Sequence, residues 1–184
     1  MKNSEPLDTY RRFAIYGTDV QLTVFSKEAA VFLSKRTHVT PHLVIEGAAE
    51  AMDFYKKAFG AEEICRMPGP DGRLMHAAMK IGDSELFLCD AFPEYGGSPG
   101  PKTLGNSPVT LHLEIPNVDA AWEKATKAGC TVAMPLDNMF WGDRYGKVVD
   151  PYGHHWSLSS RIEELTVEQM KERGEKAFAD PSCA

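Results

Sequence analysis

Histidine and glutamate side chains in this sequence stand inside short apolar segments of the kind that form strands. His42 lies in HLVIE, Glu85 in SELFL, His112 in LHLEI and His155 in HHWSL. Imidazole and carboxylate groups bind zinc, iron and nickel, and histidine also transfers protons near neutral pH. The four residues are therefore candidates for a metal site, for acid–base chemistry, or for polar groups that only line a cavity.

Aromatic residues surround a charged turn in FWGDRYG, at positions 140–146. Phe140 and Trp141 come just before Arg144 and Tyr145. Large aromatic rings beside a cation can form a wall for a flat or anionic ligand. The alternative interpretation is a surface hairpin in which Arg144 pairs with its acidic neighbour and the aromatic rings only pack.

Composition and charge exclude several classes of function. The 184 residues carry a net charge of −6 with both signs interspersed, which argues against nucleic-acid binding. No apolar run is long enough for a membrane span, and the N-terminus does not look like a secretory signal. The four cysteines form no C-x-x-C pair. We therefore expect reduced thiols in a cytoplasmic protein.

Hydrophobic periodicity predicts the elements that would position these residues. One strand, one amphipathic helix and three further strands follow each other from residue 42, and the same order returns from residue 109. The first set covers 42–46, 48–60, 61–67, 73–82 and 84–92; the second covers 109–115, 117–129, 130–135, 140–150 and 154–160. His76 falls in mid-strand and is either structural or pocket-lining.

An internal repeat with a constant offset of 70 residues links the two sets. With this shift His42 falls on His112, Ala51 on Ala121, and Leu88 on Leu158. Repeats of this kind determine the architecture before any other feature does. The sequence thus predicts an α+β fold of two βαβββ modules with mixed four-stranded sheets that enclose a cavity.

The remaining segments divide the chain further. A strand at 21–25 and a helix at 26–36 are expected in the N-terminal part, and the last segment holds a polar helix at 165–180 that starts with a capping box. The predicted organisation is an N-terminal extension (1–38), a first module (39–92), a Pro/Gly-rich linker or mobile loop (93–108), a second module (109–161), and a C-terminal helix and tail (162–184).

The paired modules, together with the helix-entry stretch IPNVDAAWEKATKAG and the stretch DPYGHHWSL on the last strand, resemble the vicinal oxygen chelate superfamily. This superfamily includes glyoxalase I, extradiol dioxygenases and the bleomycin and fosfomycin resistance proteins. Within it, residues 39–161 are most similar to the PhnB-like group. The resemblance implies a small-molecule ligand between the modules and a homodimer, with the modules paired either within one chain or across chains. It leaves open an enzyme of lyase or dioxygenase type and a protein that binds or sequesters its ligand.

The resemblance also implies where a metal would sit. Metal-dependent members use one ligand from the first and one from the last strand of each module, which here gives Thr40, Phe87, Thr110 and Ser157. None of these is a good ligand, so the usual metal site is predicted to be absent, although Phe87 and Ser157 remain pocket candidates.

An alternative ligand set lies one pleat away from those positions. It consists of His42, Glu85, His112 and His155, which share the inward face because residues two apart point the same way. Zinc, nickel, iron or manganese would be its divalent metal. Counting along the strands separates the groups by about four residues, roughly 13 Å. This predicts two clusters, His42 with His112 and Glu85 with His155, rather than one four-ligand site.

Overall fold

The structure is a computed structural model that describes residues 38–179. The strand expected at 21–25 and the helix expected at 26–36 lie outside the described residues. From Thr40 onward the described residues belong to one compact unit.

The predicted order of strands and helices is confirmed from residue 42 onward. The first module holds β1, α1, β2, β3 and β4, the linker holds α2, and the second module holds β5, α3, β6, β7 and β8, followed by α4. Their bounds are β1 His42–Ile45, α1 Ala48–Phe59, β2 Glu62–Pro68, β3 Leu74–Ile81, β4 Ser84–Asp90, α2 Pro101–Leu104, β5 Thr110–Glu114, α3 Val118–Ala128, β6 Thr131–Asn138, β7 Asp143–Val149, β8 His155–Arg161 and α4 Val167–Ala179.

Each module forms its own four-stranded mixed sheet. The strand order is β1-β4-β3-β2 in the first sheet and β5-β8-β7-β6 in the second. The first and last strands of a module run parallel, because a helix crosses between the first two strands, and the other neighbours are antiparallel. His42 pairs with Phe87, and His112 pairs with Ser157. The offset of 70 residues therefore holds in the register as well as in the sequence.

Equivalent positions also cap the helices α1 and α3. The Asp90 carboxylate accepts hydrogen bonds from the backbone N–H groups of Gly47 and Ala48, at 2.9 and 3.0 Å. Seventy residues later, the Ser160 hydroxyl accepts one from the N–H of Val118, at 2.8 Å. In both modules the last strand thus satisfies N–H groups at the start of the helix that have no partner inside the helix.

The two modules meet through their helices, since α1 packs against α3. Trp156 on β8 is 1% exposed, and its ring lies 4.3 Å from that of Phe59 and 5.4 Å from that of Tyr55, centroid to centroid. The buried Asp150 carboxylate accepts hydrogen bonds from the Tyr55 hydroxyl (2.8 Å) and from the indole N–H of Trp156 (2.9 Å). Trp156 is thus a core residue, and its ring partners are the aromatics Tyr55 and Phe59 of α1.

The linker is docked against the first module. The Glu46 carboxylate, just after β1, accepts hydrogen bonds from the backbone N–H of Gly100 (2.9 Å) and from the hydroxyl of Thr103 (2.8 Å). Gly100 and Pro101 are buried. In the described part of the chain, no helix is long and apolar enough to cross a membrane.

Candidate functional site

Each sheet has one face against the helices and one open face. Leu43 and Ile45 on β1 are buried on the face that packs against the helices. His42 is on the opposite face of the strand and is exposed. In the second sheet, strand alternation puts His112, the equivalent of His42, on the open face, and it is exposed as well. We call these surfaces the open faces; they carry most of the sequence-predicted site residues.

The open face of the first sheet carries a cluster of three rings. His42 lies 6.0 Å from His76 and 6.2 Å from Phe87, and His76 lies 5.0 Å from Phe87, all edge to face. Burial lowers the pKa of His76, and repulsion from His42 lowers it further. The contact with His42 places His76, for which the sequence left two interpretations, among the open-face residues.

His112 is held in place on the open face of the second sheet. Its Nδ1 lies 2.8 Å from the Ser157 hydroxyl and its Nε2 lies 3.3 Å from the Ser159 hydroxyl. The ring stacks on Tyr145, with centroids 6.1 Å apart and planes 26° apart. Both ring nitrogens are thus bound to hydroxyls, which fixes the orientation of the ring.

Edge-to-face ring contacts continue from Tyr145 towards the C-terminal helix. Tyr145 lies 5.6 Å from Trp141, Trp141 lies 5.0 Å from Phe140, and Phe140 lies 5.6 Å from Phe178 on α4. We call these five rings, His112 to Phe178, the aromatic row. The indole N–H of Trp141 donates to the Asp143 carboxylate at 2.9 Å, which orients this ring.

The cation next to the aromatic row is not Arg144. Arg144 and Tyr145 are neighbours on β7, so their side chains point to opposite faces of the sheet. The Arg144 guanidinium binds Asp119 of α3 at 2.8 Å. Lys147 is two residues after Tyr145, so it lies on the same face of β7, and it pairs with Ser157 in the sheet. It takes part in no ion pair among the described residues. Lys147 was not among the residues predicted from the sequence, although the two-residue period of the strand identifies it.

The register corrects the predicted spacing of the metal-ligand candidates. His112 pairs with Ser157 itself, so His155 lies two residues away along β8 and not four. This corresponds to about 7 Å at strand rise. The predicted spacing was wrong because the parallel stagger of β5 and β8 depends on the path of α3, which strand counting does not reveal.

The donor set does not fit a four-ligand metal site. Among residues 38–179, no three His, Cys, Asp or Glu side chains are close enough to hold an ion together. The contacts of His42 and His112 stay within their own sheets. Glu85 pairs with Lys80 and His155 with Thr110 in the sheets, and neither side chain has a hydrogen bond or ion pair to the rest of the described chain.

One further histidine is buried away from the open faces. His154 is 6% exposed, and its Nε2 has no hydrogen-bond partner among the described residues. The same holds for Oε2 of Glu46. Burial lowers the pKa of His154, while the Asp150 and Glu46 carboxylates and the Val44 carbonyl oppose this shift.

Comparisons with known proteins agree with the fold. An uncharacterized protein of Mycobacterium tuberculosis is 47% identical over 135 residues, which cover 72% of this chain and 79% of that protein. The crystal structure of TnmS3, an antibiotic binding protein from Streptomyces, is similar with a TM-score of 0.50 and 27% identity, over 69% of this chain and 98% of the other. A PhnB protein from Bacillus cereus has the same fold, with a TM-score of 0.54 and 21% identity, over 67% of this chain and 99% of the other.

The sequence model of one family matches residues 35–158, which is most of the chain. This match includes the first module and the second module as far as Leu158 in β8. The chain belongs to the glyoxalase/bleomycin resistance protein/dioxygenase superfamily.

Proposed function

We propose that this protein binds a small, flat ligand on the open face of the second sheet. The observation that carries the proposal is the aromatic row, in which the half-buried rings of Trp141 and Tyr145 and the exposed ring of His112 are in contact on the open face. The similar structure of TnmS3, an antibiotic binding protein, supports a binding role for this chain.

The side chains of the aromatic row are already held in fixed orientations, which favours ligand binding. Each aromatic contact with a ligand contributes about 0.5–1.5 kcal/mol beyond burial. Because the two serines already hold His112 and Asp143 already orients Trp141, little side-chain freedom is lost when a ligand arrives. Lys147 supplies a positive charge on the same face and favours a ligand with an anionic group.

We also propose that a second copy of the chain covers the open faces in a homodimer. Within the chain, α1 packs on α3, and the exposed His42 and His112 face away from that contact. The strands β1 and β5 lie at sheet edges, where unpaired backbone groups favour association. A cavity would then form between the first sheet of one copy and the second sheet of the other. The cytoplasmic location expected from the thiols stays a prediction.

The binding proposal is tested with 8-anilinonaphthalene-1-sulfonate, a flat aromatic anion whose fluorescence rises in apolar sites. We expect saturable binding that Tyr145→Ala weakens by about tenfold, equivalent to 1.4 kcal/mol. Val132→Ala, an exposed residue of β6 outside the aromatic row, is the matched control and should bind like the unmodified protein. Equal binding by the Tyr145 and Val132 variants would refute the proposed site.

The dimer proposal is tested by mixing two defective variants. Phe87→Ala damages the first open face and Tyr145→Ala damages the second. In a mixed dimer with a cross-chain cavity, one cavity carries both defects and the other carries none. Half of the dye sites should therefore regain the original affinity. A monomeric mass in solution, or no recovery in a confirmed mixed dimer, would contradict the arrangement.

A second candidate function is acid–base catalysis on the first open face. His42 and His76 lie 6.0 Å apart, and the lowered pKa of His76 favours a neutral imidazole that can accept a proton. Turnover of a ligand that fails in His76→Gln but persists in His112→Gln would support this function. Recovery of every bound ligand unchanged would favour the binding protein.

A further inference from the structure

The C-terminal helix α4 is seated on one aromatic ring. Gly174 is buried in the middle of α4, and a Cβ built there would lie 3.1 Å from Cε2 of Phe140. One turn later, Phe178 meets the same ring edge to face at 5.6 Å. An ion pair between Arg173 and Glu163, at 2.6 Å, lies at the surface beside this contact. Phe140 therefore fills a socket that exists because residue 174 has no side chain.

The glycine works against the helix that contains it. In a helix interior, glycine is about 1 kcal/mol less favourable than alanine. Its neighbours in VEQMKERGEKAFA are mostly strong helix formers, including Glu, Lys and Arg. The contact with Phe140 thus offsets a local disadvantage, and replacing the glycine would gain helix propensity while losing the socket.

The turn that carries Phe140 is tied to the chain leading into α4. The backbone N–H groups of Ile162 and Glu163 both donate to the Gly142 carbonyl, at 3.0 and 3.1 Å. A Cβ at Gly142 would come within 2.5 Å of the Glu163 carbonyl oxygen, so the two segments are in close backbone contact. Phe140 and Trp141 belong to this same turn, and their rings touch edge to face at 5.0 Å.

We propose that α4 is a positioning element for the ligand face: the Gly174 socket holds Phe140, and Phe140 holds Trp141 in line with Tyr145 and His112. This inference rests on the proposed function, since the positioned ring is part of the proposed site. The coupling is reciprocal. A ligand that stacks on Trp141 also stabilises the docked position of α4.

The positioning is tested without any ligand, by fluorine NMR of protein labelled with 5-fluorotryptophan. Trp122, Trp141 and Trp156 give one resonance each, and Trp141→Phe assigns the one of interest. In Gly174→Ala the Trp141 resonance should shift or broaden while those of Trp122 and Trp156 stay. The control Glu175→Ala, at an exposed position of the same helix, should leave all three unchanged.

An unchanged Trp141 resonance in Gly174→Ala would overturn the inference, as would equal shifts of all three tryptophans, which indicate general loosening. The dye supplies the second readout. If it binds the unmodified protein, Gly174→Ala should weaken binding by about three- to tenfold, the range of one aromatic contact, and the dye should slow hydrogen exchange in α4. Absence of dye binding would contradict the proposed function, while the fluorine spectra would still decide the role of α4.

Discussion

The two modules share one backbone plan and differ in what they place on their open faces. At equivalent positions, His42 stands beside Phe87 and His112 stands beside Ser157. A phenyl ring has no hydroxyl group for an imidazole nitrogen, so His42 makes ring contacts, whereas a serine hydroxyl fixes His112. The same duplication therefore yields an apolar, imidazole-containing face in one module and a rigid stacking face in the other.

The two modules also differ in the residues that cap their helices and in the residue at the junction between the modules. Asp90 uses a carboxylate to cap its helix and also accepts a hydrogen bond from the N–H of Leu74, at 2.7 Å. Ser160 caps with a hydroxyl and donates in turn to the Ile115 carbonyl. Asp150 joins the modules, while its equivalent 70 residues earlier, Lys80, is exposed. Both modules thus have the same backbone path, and single residues determine how each helix is capped and which module supplies the buried carboxylate at the junction.

The largest effect is expected at the module junction. Asp150→Ala leaves Tyr55 and the indole of Trp156 without their shared acceptor in the core. We expect a loss of about 3–5 kcal/mol in the free energy of unfolding, because each buried donor left without an acceptor costs about 1–3 kcal/mol. Lys80→Ala, the equivalent change, should stay within about 0.5 kcal/mol. Urea unfolding of both variants measures the contrast, and similar losses would show that the junction is not specific to the second module.

The helix caps should differ by a smaller amount. Asp90→Ala removes three hydrogen bonds of a buried carboxylate, and we expect it to destabilise by about 2–3 kcal/mol. Ser160→Ala removes one cap and should destabilise by about 1 kcal/mol. Chemical denaturation of the two variants ranks them. The reverse order would mean that the second module depends more on its cap than the geometry indicates.

Acidification should weaken the fold through His154. Burial lowers the pKa of His154 in the folded state, so the unfolded chain binds the proton more readily. Stability is then highest above the unfolded pKa of about 6.5 and falls as the pH drops below it, by at most about 1.4 kcal/mol per pH unit for one group. His154→Gln should flatten this slope, and Ser84→Ala, at the equivalent exposed position, should not. An equal slope in all three proteins between pH 7 and 5 would rule His154 out as the cause.

The smallest effect concerns the orientation of His112. Ser157→Ala removes the partner of Nδ1 at a cost of about 1 kcal/mol and leaves the weaker contact with Ser159. The ring ¹⁵N shifts of His112 should change, and dye affinity should fall by less than in Tyr145→Ala. Phe87→Ala in the other module is the comparison and should leave the His112 shifts unchanged. If both variants moved them equally, the serine would have no specific role.

Much of this architecture is determined by the sequence alone. Alternating apolar residues identify the strands, and the offset of 70 identifies the duplication, because both follow from local periodicity. The same parity separates His154 and Trp156, which point into the protein, from His155 and Ser157, which point to the open face. By the same two-residue period, Lys147 and not Arg144 lies on the same face as Tyr145, which the sequence alone indicates.

Only the tertiary structure decided the contacts that join distant segments. The pairing of His112 with Ser157 depends on how α3 carries the chain between two parallel strands, and the two-residue error in the predicted stagger follows from that missing information. Trp156 packs on α1 because the helices of the two modules meet, which no local pattern indicates. The seat of α4 on Phe140 likewise joins residues far apart in the chain, and such contacts depend on shape complementarity, which periodicity does not encode.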